Sequence, residues 1–125
     1  MELEEKKLEK RSVSSDTWKK FWTIAGLLFL LHAIIVGALA IFFRPSDNHV
    51  ILRYNVYFGI DLLGAWWQVY LLPVLSLAFL LANLSFAHRF LKRGEWLLSI
   101  LLLLGSGVIA FGLAIAVAAL VLVNY

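Results

Sequence analysis

The chain has no cysteine and only two prolines, Pro45 and Pro73. Without cysteine there can be no disulfide, no zinc-thiolate site and no thiol nucleophile, so oxidative stapling plays no part. Formal charge is also missing over long stretches: no Asp, Glu, Lys or Arg occurs from Phe21 to Phe43, from Leu62 to Ala87, or after Glu95. No nucleophile, base and orienting group share a recognisable spacing, and no cofactor motif is present. The expectation is therefore a protein that is not an enzyme and takes no cofactor.

What is there is apolar. With 62% hydrophobic residues in 125 positions and a mean hydropathy of +0.89, the chain is at most one domain and reads as an integral membrane protein. The net charge of +3 does not make a nucleic-acid binder. Lys6, Lys7, Lys10, Arg11, Lys19 and Lys20 are interleaved with Glu2, Glu4, Glu5, Glu9 and Asp16, and mixed signs do not track a phosphate backbone. That pattern reads as a solvated tail carrying a topology signal, with the lipid bilayer as the first partner.

The expected fold class is all-α integral membrane, with three transmembrane helices. Residues 1–17 form a charged tail, disordered or a frayed helix in which Glu2 and Lys6 can pair across one turn. Residues 18–125 form the membrane domain, with spans at about 21–43, 67–87 and 96–123, an outer loop at 44–66 and a connector at 88–95. The first span covers roughly 34 Å, enough to cross a bilayer core, and is longer than the apolar part of a cleavable signal. Trp18 and Trp22 sit where an interfacial aromatic belt belongs. Pro45 ends the first span, whereas Pro73 would free the carbonyl of Val69 in the second. Basic residues are concentrated in the tail and in Arg89, Lys92 and Arg93, which places the amino terminus and the connector inside, and the outer loop and carboxyl terminus outside.

Within the spans, His32 is the one ionisable side chain near mid-membrane, where polar groups are expensive and therefore informative. Counting inward from the helix ends sets it level with Ser76 and with Ser106 or Gly107. Asn83 shares a face with Ser76, and Ser99 and Ser106 repeat that spacing on the third span. His32, Ser76, Asn83, Ser99 and Ser106 thus form a candidate intramembrane polar cluster, read first as hydrogen-bonded glue between helices and alternatively as the lining of a path. Gly37, Gly105, Gly107, Gly112 and the row Ala110, Ala114, Ala118 mark close helix approach, within the chain or with another copy.

The outer loop carries the most information. Val50, Leu52, Tyr54, Val56 and Phe58 fall on one face of a period-two ribbon, and Ile51, Arg53, Asn55 and Tyr57 on the other. The expectation is an extended or interfacial segment, a turn built by Asn55 and Gly59, and a helix capped by Asp61 and starting at Leu62. Asp47, His49 and Asp61 have no ligand spacing, so no metal site is expected. Candidate partner-binding residues are Val50, Leu52, Tyr54, Asn55, Val56, Phe58, Asp61, Trp66 and Trp67, because an isolated apolar strand must bury its edge against something.

The run Tyr54-Asn55-Val56-Tyr57-Phe58-Gly59-Ile60-Asp61-Leu62-Leu63-Gly64, with Trp66 behind it, resembles the signature stretch of small uncharacterised three-pass membrane proteins of bacteria of the candidate phyla radiation. The likeness covers the chain from about residue 49 onward. More distantly, its Asn, Gly and Asp pattern is similar to a domain of unknown function that accompanies the immunity protein against a sporulation-delaying toxin. Arg53 stands where a His would be expected there, and Ala65 where a Pro would be. The resemblance implies a multi-pass protein of a bacterial cytoplasmic membrane and brings no activity with it. The functional expectation is a non-enzymatic accessory or interaction subunit whose outer loop and small-residue faces engage a membrane-protein partner or another copy. A small oligomeric channel or transporter, with His32 and Asn83 lining its path, and an immunity or envelope-sensing protein are the alternatives. Cysteines introduced at Ser46 and Gly94 are expected to react with an impermeant thiol reagent from opposite sides of sealed vesicles. Labelling from one side would overturn the orientation.

Overall fold

The computed structural model describes residues 1–9, 13–57 and 59–125, and for Leu8, Glu9 and Asp61 the backbone alone. The elements are α1 (Glu2–Glu9), α2 (Ser15–Phe42), strands β1 (Val50–Asn55) and β2 (Gly59–Gly64), a 3-10 turn (Trp66–Tyr70), α3 (Leu71–Lys92) and α4 (Trp96–Asn124). Three helical stretches, Ser15–Phe42, Trp66–Lys92 and Trp96–Asn124, are long and apolar enough to cross a membrane. Of the tail, Glu2–Glu9 is helical, the second of the two expected states, and its residues 2–7 are exposed. Its acidic first turn and basic last turn match the helix dipole, and Lys6 lies 4.0 Å from Glu2.

α2 begins at Ser14, whose Oγ accepts the Thr17 N–H at 3.2 Å and so satisfies one orphan donor of the first turn. Asp16 and Lys20 pair at 3.0 Å one turn apart. At the other end Phe43 closes the last turn on Leu39, and the chain leaves the helix just before Pro45. Pro73 falls in the first turn of α3, where a missing N–H is tolerated, rather than kinking the middle of a span.

The three long helices bury one seam each, and the seams share a period. On α2 it runs Phe21, Ala25, Leu28, His32, Ile35, Leu39, and on α4 Ser99, Leu103, Ser106, Ala110, Leu113, Val117. Both alternate steps of four and three, the seven-residue repeat of left-handed helix packing. α3 contributes Pro73, Ser76, Leu80, Ala87 and Leu91 in the same phase. Two apolar cores result. One gathers Phe21, Leu28, Leu80, Ala87, Leu91 and Leu103; the other gathers Ile35, Leu39, Phe43, Val50, Val69, Leu113 and Val117. α3 and α4 pack most extensively, and their buried seams include the small residues Ala87, Ser99 and Ala110, whereas α2 and α3 meet less extensively.

The outer loop departs from expectation in a definite way. Instead of one extended segment followed by a helix from Leu62, it forms an antiparallel hairpin, with Val50 opposite Gly64 and Asn55 opposite Gly59. Asp61 therefore lies in a strand and caps no helix; the position before the 3-10 turn is Ala65, whose N–H is held by Gln68 Oε1 at 3.0 Å. The register slips between Ile51 and Arg53 and again between Arg53 and Tyr54, as at a bulge. The expected two-faced alternation is broken by these slips. Burial follows distance from the helices instead, so that Val50 is buried, Leu52 half-buried and Tyr54 exposed.

Two glycines permit this shape. Gly59 has φ of 78°, a left-handed conformation suited to the end of a tight hairpin turn. Gly64 leaves no room for a side chain, since a Cβ there would strike both Leu52 and the Gln68 carboxamide. Gly64→Ala is expected to destabilise the hairpin by about 1–3 kcal/mol through overpacking, read as faster amide exchange across both strands. Gly26→Ala, at a position with nothing within 4 Å, is the comparison and should leave that exchange unchanged. Unaltered protection in Gly64→Ala would contradict the packing described.

Candidate functional site

Between the two apolar cores lies a polar layer. His32 is flanked on its own helix by Leu28, in one core, and Ile35, in the other, and Ser76 meets it from α3. The His32 Nδ1 is 2.8 Å from the Leu28 carbonyl, an acceptor only, so Nδ1 carries the proton. Nε2 is then the acceptor, and the Ser76 hydroxyl donates to it at 2.9 Å. The ring is 4% exposed and Ser76 7%, and this hydrogen-bond set fits the neutral Nδ1–H tautomer, which avoids a charge at depth.

A second bridge joins the other pair of helices. Asn83 Nδ2 donates to Ser106 Oγ at 2.9 Å, and Ser106 in turn donates to the Leu102 carbonyl at 3.1 Å. The expected pairing of Asn83 with the serines of α4 is thus made by Ser106. Ser99 is buried, and its hydroxyl has no hydrogen-bond partner among the described residues. Gly37, Gly105 and Gly112 meet nothing within 4 Å, so these glycines do not set helix distances within the chain, while Gly107 touches Leu28 at the place of an absent Cβ.

A hydroxyl donating to an oriented imidazole has the outline of a nucleophile and its base. Among the described residues no other side chain bonds to Ser76, and the Asn83 amide, two turns along α3, is engaged by Ser106. The arrangement gives each of these four side chains a hydrogen-bond partner and thereby links α2 to α3 and α3 to α4.

The second candidate region is the hairpin. Val50 and Leu52 pack into the core beside Leu39 and Val117, and Trp66 leans edge-on against Tyr70 with ring centres 6.2 Å apart. These three face the helices. Asn55 Oδ1 accepts the Tyr57 N–H at 2.9 Å and shapes the turn. Tyr54, Val56 and Trp67 are exposed, Val56 to 84%. Phe58 lies outside the described residues, as does the Asp61 side chain. The hairpin also exposes Tyr57, Ile60, Leu62 and Leu63, which the period-two reading did not single out. No three of His, Asp and Glu converge among the described residues.

Sequence reasoning missed the clamp that holds the hairpin. Asn124, in the last turn of α4, accepts the Ile51 N–H through Oδ1 and donates to the Ile51 carbonyl through Nδ2, both at 2.9 Å. Its amide thus continues the sheet as a strand would. The Tyr125 hydroxyl donates to the Phe42 carbonyl, and Tyr70 Oη donates to that of Phe43 at 3.1 Å. The available signal was an amide side chain directly after an uncharged run, at the level of the outer loop.

Comparison with protein-family models, curated proteins and solved structures finds no match. The resemblance of the Tyr54–Gly64 stretch therefore rests on its residues alone. A double-mutant cycle of His32→Ala and Ser76→Ala is expected to show coupling of about 0.6 kcal/mol, the usual worth of such a bond between membrane helices. His32→Ala alone should cost more than Ser76→Ala, because it also opens a cavity. Reversible unfolding in mixed detergent measures both, and strictly additive losses would contradict the bridge.

Proposed function

We propose that the protein is a non-enzymatic interaction subunit of a bacterial cytoplasmic membrane, which presents its hairpin outside to another membrane protein. The observation that carries this reading is a contrast within one element. The base of the hairpin is clamped by Asn124 and buried through Val50 and Leu52, while Tyr54, Val56, Tyr57 and Ile60 stand exposed, Tyr57 to 91%. A rigidly held apolar surface needs little ordering on association, and exposed patches of this kind mark contact sites. The positive-inside pattern of the tail and connector supports this orientation, with the amino terminus in the cytoplasm and the carboxyl terminus outside. A path along His32 and Asn83 has less support, since both side chains are paired with serines inside one chain.

Val56→Lys combined with Ile60→Lys is expected to release the partner that copurifies with the tagged protein after mild extraction, with helical content and membrane insertion retained. Retention of that partner, or recovery of a homogeneous homo-oligomer alone from the unaltered protein, would contradict the reading.

A further inference from the structure

At the end of the bundle opposite the hairpin, the start of α2 meets the end of α3 in an aromatic cage around one imidazole. The His88 ring lies 5.4 Å from Trp18, 5.9 Å from Trp22 and 6.3 Å from Phe21, centre to centre. Its Nδ1 is buried and has no hydrogen-bond partner among the described residues. Nε2 makes no bond there either and remains accessible. Beside the ring opens a pocket of about 370 Å³ lined by Trp22, Leu84, Ser85, His88 and Arg89. Ser85, His88 and Arg89 are spaced three and four apart, so that α3 supplies one wall and Trp22 of α2 the other.

The electrostatics of this pocket are one-sided. Lys20 is paired with Asp16, but no salt bridge engages the exposed Arg89 among the described residues. Lys92 and Arg93 follow within one turn, with Glu95 the acid nearest in sequence. Ser85 donates to the Leu81 carbonyl at 2.9 Å, which leaves Arg89, His88 Nε2 and the Trp22 indole N–H as donors. Below them, exposed Leu81 continues the same face of α3 toward the apolar middle of the helix.

We propose that this pocket binds the headgroup phosphate of an anionic glycerophospholipid, Arg89 supplying the charge, His88 and Trp22 neutral hydrogen bonds, and Leu81 a bed for an acyl chain. The residues carrying these donors line one pocket, at the level where tryptophan and basic side chains meet a bilayer's headgroups. Basic pockets between helices on this side are suited to anionic lipid. Ionic hydrogen bonds from arginine to phosphate are directional and strong, and an unpaired arginine favours a headgroup of net negative charge over a zwitterionic one. The inference does not depend on the hairpin or its partner.

The test is lipid retention by native mass spectrometry of the full chain, titrated with phosphatidylglycerol, phosphatidylcholine or inorganic phosphate. The unaltered protein is expected to hold one phosphatidylglycerol about 10-fold more tightly than phosphatidylcholine, whose choline cation offsets the phosphate charge and is repelled by Arg89, and to be indifferent to free phosphate. Arg89→Gln should bring the two lipids to parity, and His88→Phe, which keeps an aromatic ring in the cage, should reduce the preference. Lys92→Gln with Arg93→Gln should leave it in place. Equal binding of both lipids by the unaltered protein would overturn the proposal. So would competition by free phosphate, or a preference that follows Lys92 and Arg93 rather than Arg89.

Discussion

A polar side chain in the middle of an apolar helix bundle has no water to fall back on, and His32 is the residue on which that constraint bears hardest. Its two nitrogens are satisfied by the Leu28 carbonyl and the Ser76 hydroxyl, which sets the rotation of α2 and its height against α3 together. Once that bridge is made, the seams on either side follow. Leu28 and Phe21 are carried into one apolar core, and Ile35 and Leu39 into the other. Asn83 and Ser106 fix α3 against α4 by the same logic. Apolar contacts alone discriminate poorly between registers when lipid tails are as apolar as leucine, so directional bonds carry the specificity here.

The bundle holds its hairpin end differently. There the chain must return from α2 to α3, and it does so through a hairpin whose edge would otherwise leave the Ile51 backbone groups bare. Asn124 takes both of them, and the hydroxyls of Tyr70 and Tyr125 take the carbonyls left at the end of α2. A two-stranded hairpin is marginal by itself in water. Docked on the helices through Val50, Leu52 and this amide, it becomes a fixed platform with an apolar tip. The opposite end is built from aromatic rings and basic side chains, so the two ends present different chemistry to whatever meets them.

Much of this was legible in the sequence. Uncharged runs of the right length pointed to three long apolar helices, because solvation of charge in an apolar medium dominates local preference, although α2 starts before the expected span and α3 runs past its own. Counting residues from the helix ends matched His32 with Ser76, since a rise of about 1.5 Å per residue is insensitive to side-chain detail. The hairpin was half legible. Asn55 and Gly59 signalled the turn, but Leu62-Leu63-Gly64 read as a helix start, and the register slips on either side of Arg53 broke the alternation that identifies paired strands. The Asn124 clamp and the cage around His88 join residues that are far apart along the chain. No periodicity records such pairs; they exist only once the helices are packed.

The account turns on His32 as a neutral bridge, and nitrogen-15 nuclear magnetic resonance of the histidine-labelled protein in lipid bilayers tests that most directly. The chain has three histidines, so the His32 signals are assigned by their loss in His32→Gln. The predicted result is a neutral ring with the proton on Nδ1 and an unprotonated Nε2 shifted by a hydrogen bond, the shift relaxing in Ser76→Ala. A ring protonated on Nε2, or on both nitrogens, in the resting protein would contradict the hydrogen-bonding arrangement from which the rest of the bundle has been derived.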